Sequence, residues 1–172
     1  MDLNAVPCDP EANSYLTMEE ANQIMDGYLS GERWDALQAE EGEATGETVR
    51  IRLLRTATRL VDRYRPLPPK QTTEQSLAFP TSKDTAEEIP RAVKIAVCEW
   101  VDAYLQGADF MAFKRLQAEG VTSMSQLGQS SSFKEDASML PAGARRELDG
   151  LIDSYAMIGL DNPCRHDPLG DW

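Results

Sequence analysis

The segment between Thr48 and Pro66 restricts the possible folds of this chain more than any other. At about 100° per residue, its apolar side chains fall on one side of a helix and most of its arginines on the other. The apolar side holds Leu53, Leu54, Ala57, Leu60, Val61 and Tyr64. The opposite side holds the arginine stripe, which we define as Arg52, Arg55, Arg59 and Arg63. The pattern predicts a long helix that begins near residues 45–48, packs on a core and turns its cations outward.

Two shorter helices are predicted before it. Thr17 and Glu20 have the spacing of a capping box, and the apolar periodicity after them continues to Leu29. Gly31 stands where a C-cap glycine is expected. Residues 33–39, with an apolar tryptophan and leucine, form the second of these helices.

The apolar pattern after residue 88 predicts further helices. Pro90 fits the first turn of one helix, and Gly107 ends it. A short helix follows over residues 110–116, and a last one spans Ala142–Ile158 with Gly159 as its cap. The chain is therefore predicted to be all-α, a small bundle of about five to six helices. One β-hairpin is compatible with the weakly strand-like Val121, Met124 and Leu127.

The prolines and the long loop give the domain organisation. Residues 1–13 are predicted to be a mobile N-terminal arm, residues 14–159 one helical domain, and residues 160–172 an extended tail. Inside the domain, residues 67–88 form a long Pro-rich loop, and loops of this length are usually docked or functional. We expect residues 77–79 to pin the middle of this loop to the core.

Charge is distributed very unevenly along the chain. The 172 residues carry a net charge of −12, and residues 1–47 hold 12 acidic residues and one basic residue. Residues 48–70 reverse this, with seven basic residues and one acidic residue. The acidic first third and the basic helix are complementary, either within one chain or between copies.

Composition and motifs exclude several classes of protein. No apolar run approaches the roughly 20 residues of a membrane span, the N-terminus lacks signal-peptide features, and three cysteines form no disulfide framework. We therefore expect a protein that resides in a reducing cytoplasm and does not bind membranes.

Candidate catalytic, cofactor and metal sites are equally scarce. Ser130–Ser132 lacks the glycines of a nucleophile elbow, and no phosphate-binding loop motif occurs. Cys164 and His166 lie close together but lack the further ligands that structural zinc needs. Cys98 lies on an apolar helix face and is best interpreted as a small core residue. We predict no enzyme activity, no cofactor and no metal.

An ordered series of segments resembles a known family. The series comprises Ser14–Thr17 with Glu20 and Ala21, Trp34, Leu53–Arg63, Gln75–Pro80, Ile89–Glu99, and Leu140–Pro141 before Leu148 and Leu151. Together they resemble the head–tail adaptor, or connector, proteins of tailed bacteriophages. Part of that group is also described as DnaT-like single-stranded-DNA-binding proteins, so the resemblance implies two functions.

The resemblance to adaptors implies a structural protein of the virion that assembles in the host cytoplasm. About twelve copies would form a closed ring beneath the portal protein at the head–tail interface. The ring would extend the DNA channel, let double-stranded DNA pass without specific binding, and dock the next neck, stopper or tail protein. The alternative is a single-stranded-DNA-binding accessory protein.

The arginine stripe has three interpretations. It is a solvated face partly paired with Asp62 or with acidic residues elsewhere in the fold, a contact with DNA phosphates, or an interface between subunits. In the last interpretation the guanidinium forks bind carboxylates of a neighbouring copy. The acidic residues available for this interface are Glu40, Glu41, Glu43 and Glu47, or Asp35.

The C-terminus offers a second candidate contact with a partner. Leu169 and Trp172 end a tail that is either disordered or anchors the chain on the portal, since tryptophan is enriched in interface hot spots.

Overall fold

Five helices form the core of this all-α chain, as predicted. The computed structural model describes residues 2–39, 46–64, 68–108, 123–126, 129–132 and 140–160. The helices are α1 Met18–Met25, α2 Gly31–Ala39, α3 Gly46–Asp62, α4 Arg91–Leu105 and α5 Ala142–Leu160. An additional helix was predicted over residues 110–116, which lie outside the described residues.

A short β-hairpin lies between α4 and α5. Its strands are β1 Ser123–Gln126 and β2 Gln129–Ser132, and they pair antiparallel with Ser123 opposite Ser132 and Gln126 opposite Gln129.

Helix α4 is the centre of the fold and packs against the other four helices. Its apolar residues recur at helical spacing over most of its circumference, so it presents an apolar surface to each neighbouring helix. Val93, Ala96, Val97, Cys98, Trp100 and Val101 are all buried. Burying a large apolar side chain contributes about 1.5–3 kcal/mol, so this helix supplies much of the driving force for folding.

Helix α1 begins as predicted but ends early. The Thr17 hydroxyl accepts from the Glu20 backbone N–H at 3.2 Å, and the Glu20 carboxylate accepts from the Thr17 N–H at 2.9 Å. The helix ends at Met25, so the prediction that it continues to Leu29 is wrong. Leu29 is fully exposed rather than packed on the core.

Contacts with α4 explain the early end of α1. The Tyr28 hydroxyl donates to Glu99 at 3.1 Å, and the Ser30 hydroxyl donates to Asp102 at 2.6 Å. These bonds hold the connection against α4 in a non-helical path. Gly31 is the first residue of α2 rather than a C-cap, and a Cβ there would lie 2.9 Å from the Met25 carbonyl oxygen. Glycine is required by this close approach, not by helix termination.

The last helix is longer than predicted. Gly159 was predicted to cap it, but the helix continues through Gly159 to Leu160. A glycine inside a helix costs only about 1 kcal/mol relative to alanine, which packing elsewhere on α5 can offset. The Tyr155 hydroxyl donates to Asp84 at 2.6 Å and fixes this part of α5 to the long loop.

The long loop is docked on the core, as predicted. Phe79 is buried, Leu77 and Ala78 pack against the core, and the Phe79 ring meets the Tyr15 ring edge-on with centroids 5.8 Å apart. The Asp62 carboxylate, at the end of α3, accepts from the Ala78 N–H at 2.6 Å and from the Tyr15 hydroxyl. One carboxylate therefore joins α3, the loop and the chain before α1.

A buried glutamine organises the loop from inside. The side-chain oxygen of Gln75 accepts from the Thr72 N–H, and its amide nitrogen donates to the Leu77 and Pro80 carbonyls, each at 2.9 Å. The Lys70 ammonium donates to two further loop carbonyls. The loop thus satisfies its own polar groups, which a buried loop must do.

The N-terminal segment lies along this loop. The Ser76 hydroxyl donates to the Ala12 carbonyl at 2.5 Å, and the Asn13 N–H donates to the Asn4 carbonyl at 2.9 Å. The mobility of the arm over residues 1–13 and the boundaries of the helical domain stay predictions.

We predict that Gln75→Leu destabilises the fold by about 3 kcal/mol, because it leaves buried backbone groups without hydrogen-bond partners. Urea unfolding followed by circular dichroism measures the effect. The matched control is Gln71→Leu at an exposed position of the same loop. Equal effects of the two substitutions would contradict this role for Gln75.

Glu20 predicts one contribution to acid sensitivity. Burial opposes its ionisation, but hydrogen bonds from Lys94, at 2.6 Å, and from the Thr17 backbone outweigh burial and lower the pKa of Glu20 from 4.5. A lowered folded-state pKa stabilises the fold above pH 4.5, and this stabilisation is lost as the pH falls through the lower value. Glu20→Gln should therefore reduce stability near neutral pH and match wild type in strong acid.

The pH dependence of urea unfolding tests this, with exposed Glu19→Gln as the neighbouring control. A difference between wild type and Glu20→Gln that persists unchanged into strong acid would contradict the assignment.

Candidate functional site

The arginine stripe lies on the outer face of α3, as predicted. Arg52, Arg59 and Arg63 are exposed, and Arg55 is half-buried. The opposite face of the helix is buried through Leu53, Leu54, Ala57, Thr58 and Val61. Amphipathic packing on α2 and α4 therefore fixes the direction in which the stripe points.

The stripe makes no polar contact within the part of the chain that the structure describes. No hydrogen bond or ion pair joins any of its guanidinium groups to another described residue. Asp62, the partner considered for a solvated face, instead turns toward Tyr15 and Ala78. Asp62 therefore does not pair with the stripe, which removes one of the partners considered for a solvated face.

The acidic residues predicted to meet the stripe fall into three groups. Asp35 contacts Arg50 of its own chain at 3.3 Å. Glu47 is exposed in the first turn of α3 itself. The others, Glu40, Glu41 and Glu43, lie outside the described residues, as do Leu169 and Trp172 of the tail.

Arg50 is the residue that sequence reasoning missed. It is 3% exposed and lies on the apolar side of α3. Its guanidinium donates to the Trp34 carbonyl at 3.0 and 2.7 Å and stacks over the Trp34 ring, 4.7 Å from the centroid. Asn22 completes the cluster by accepting from the Trp34 indole N–H at 2.9 Å. Arg50 thus joins α1, α2 and α3.

The sequence did carry a signal for this cluster. At about 100° per residue, Arg50 falls among Leu53, Leu54 and Ala57 rather than with the stripe. Burial lowers the pKa of Arg50, while the carboxylates of Asp35 and Glu47 favour its charged form. An arginine stays protonated under such conditions, so the cluster is a permanent cationic clamp.

Two side chains of the core region, Cys98 and Tyr28, have raised pKa values. Burial, reinforced by the charge of Glu99, raises the pKa of the Cys98 thiol to about 12, so the thiol is not a thiolate nucleophile at neutral pH. Burial and the neighbouring Glu99 also raise the pKa of Tyr28.

Two wider searches give equally plain findings. Within the described ranges, no group of at least three His, Cys, Asp or Glu residues is placed to hold a metal ion. None of the helices there is long and apolar enough to cross a membrane.

One exposed aromatic residue lies at the end of α4. The Tyr104 ring is 49% exposed and stacks on the Trp100 ring, with centroids 5.5 Å apart and planes 15° from parallel. An exposed aromatic ring is the kind of surface on which a nucleobase can stack.

We predict that substitution by methionine destabilises the fold at Arg50 but has almost no effect on stability in the stripe. Arg50→Met should cost about 2 kcal/mol, because charge-assisted hydrogen bonds and a cation–π contact are lost. Arg52→Met should change stability by less than about 0.5 kcal/mol, as is usual at an exposed position. Thermal unfolding of both variants checks this, and a tolerated Arg50→Met would remove Arg50 from the account of the fold.

The comparisons with known proteins give one match. A protein-family model with the description "Putative DnaT-like ssDNA binding protein" matches residues 5–131, which include α1 to α4, the long loop and the arginine stripe. No curated protein and no solved structure gives a significant match. Since the matched region is well over half of the 172 residues, the chain belongs to this DnaT-like family.

Proposed function

We propose that this protein is a head–tail adaptor of a tailed bacteriophage or prophage. Copies would assemble in the host cytoplasm into a ring on the portal protein and remain in the virion at the head–tail interface. The ring continues the DNA channel and presents a surface to the next neck or tail protein. Its role is binding and assembly without catalysis or a cofactor.

The observation that carries the proposal is the unsatisfied arginine stripe on a rigid helix. Four guanidinium groups point away from the core and find no carboxylate among the described residues. Isolated surface charges contribute little to the stability of one chain. A row of arginines is better suited to pairing with carboxylates on another subunit.

The overall charge supports the same role. At a net charge of −12, the protein as a whole repels DNA phosphates. A channel wall that repels duplex DNA lets the duplex slide during packaging and ejection. An acidic ring held together by its basic helices would combine cohesion between subunits with a channel wall that repels duplex DNA.

Single-stranded-DNA binding is the second candidate function. The family's description names it, and the stripe could contact phosphates. The stacked pair of Trp100 and Tyr104 supplies an exposed aromatic face of the kind on which bases stack. This function requires affinity that falls steeply as salt concentration rises.

One variant separates the two functions. Arg55→Glu/Arg59→Glu should abolish co-sedimentation with portal particles and any ring in analytical ultracentrifugation, because it cancels the net positive charge of the stripe. Wild type should shift no single-stranded oligonucleotide in gel electrophoresis at low salt.

The opposite pattern would contradict the adaptor proposal. If wild type binds oligonucleotides and the variant loses that binding while rings and portal binding remain, the protein is a DNA-binding accessory protein. Lys83→Glu/Arg91→Glu, which reverses two charges away from the stripe, controls for the change in net charge.

A further inference from the structure

The connection between α1 and α2 presents a fully exposed leucine between two acidic residues. Leu29 is 98% exposed, with Asp26 three residues before it and Glu32 three residues after it. Both carboxylates are exposed and form no side-chain hydrogen bond or ion pair with a described residue. We call Asp26, Leu29 and Glu32 the Leu29 knob.

Hydrogen bonds fix the backbone around the knob although the Leu29 side chain is exposed. On either side of Leu29, the hydroxyls of Tyr28 and Ser30 are bonded to α4 carboxylates at 3.1 and 2.6 Å. The nearest cation along the chain, Arg33, donates to the Leu105 carbonyl at 2.5 Å. The exposed leucine therefore lies on a turn that hydrogen bonds fix to α4. The acidic side chains beside it form no ion pair with a described cation.

We infer that the Leu29 knob of one copy docks on the arginine stripe of the next copy, which rests on the proposed function and names the partner surface. The alkyl stems of the arginines can cover Leu29 while their guanidinium groups pair with Asp26 and Glu32. An apolar centre with a charged rim is the usual anatomy of a protein interface.

The choice of occupant follows from charge. Residues 1–39 contain eight acidic residues and a single basic one, Arg33, so this region of a second copy complements the stripe. Asp35 is the alternative acidic residue on α2, but it already contacts Arg50. A stripe facing another stripe would place like charges together.

The same reasoning fixes the type of assembly. Two different surfaces meet, so the contact is heterologous, and such contacts make rings when the rotation between subunits closes. Each copy keeps its own stripe and knob free for two neighbours.

Charge reversal on each side tests this pairing. Arg55→Glu/Arg59→Glu cancels the net positive charge of the stripe, and Asp26→Arg/Glu32→Arg makes the knob basic. Each variant alone should self-associate at least about tenfold more weakly than wild type. Their equimolar mixture should regain association, because the unchanged stripe of the knob variant then meets the unchanged knob of the stripe variant. Sedimentation velocity of the full chain at low ionic strength gives the readout.

Two further variants guard the interpretation. Leu29→Ser leaves the charge unchanged and should also weaken association by removing the apolar centre. Glu87→Arg/Glu88→Arg makes the same charge change as the knob variant but at the other end of α4, and it should not weaken association. Circular dichroism confirms that each variant is folded.

Three results would overturn the inference: wild type that stays monomeric at every concentration, a knob variant that associates normally, or a mixture that does not regain association. If the stripe variant loses portal binding while the knob variant self-associates normally, the adaptor proposal stands and only the knob is excluded.

Discussion

The packing of α3 against its neighbours is the constraint on which the functional surface depends. Leu53, Leu54, Ala57 and Val61 bury one side of the helix, so the opposite side must face outward. Arg50 locks the N-terminal half of α3 to Trp34, and Asp62 locks its end to the loop. A helix fixed at both ends and along its length presents its arginines in one rigid row. Rigidity matters because ordering flexible side chains and backbone reduces the affinity of any contact.

The two kinds of arginine in α3 illustrate how position decides role. Arg50 is buried, and two hydrogen bonds, a ring contact and a nearby carboxylate offset the cost of its desolvation. Arg52, only two residues further on, is exposed and contributes nothing to the described core. The same chemistry thus serves the fold in one case and remains available for a partner in the other.

Periodicity was enough to predict the helices, the direction of the stripe and the docking of Phe79, because each follows from local pattern and burial. It failed at Leu29 and Gly159, where helix ends are decided by contacts far along the chain. Tyr28 and Ser30 contact α4 residues about 70 positions away, and no local pattern encodes such pairs. Periodicity places Arg50 on the buried face of α3, but it does not identify the partners of Arg50 and Asp62, because these lie on other elements.

The central proposal is that copies of this chain assemble with one another and with the portal protein. Electron microscopy of portal particles mixed with the purified protein tests it most directly. The account predicts an added annular layer beneath the portal, in which the α3 face of each subunit abuts the next subunit. Portal particles without that layer, together with protein found only on single-stranded DNA, would contradict it.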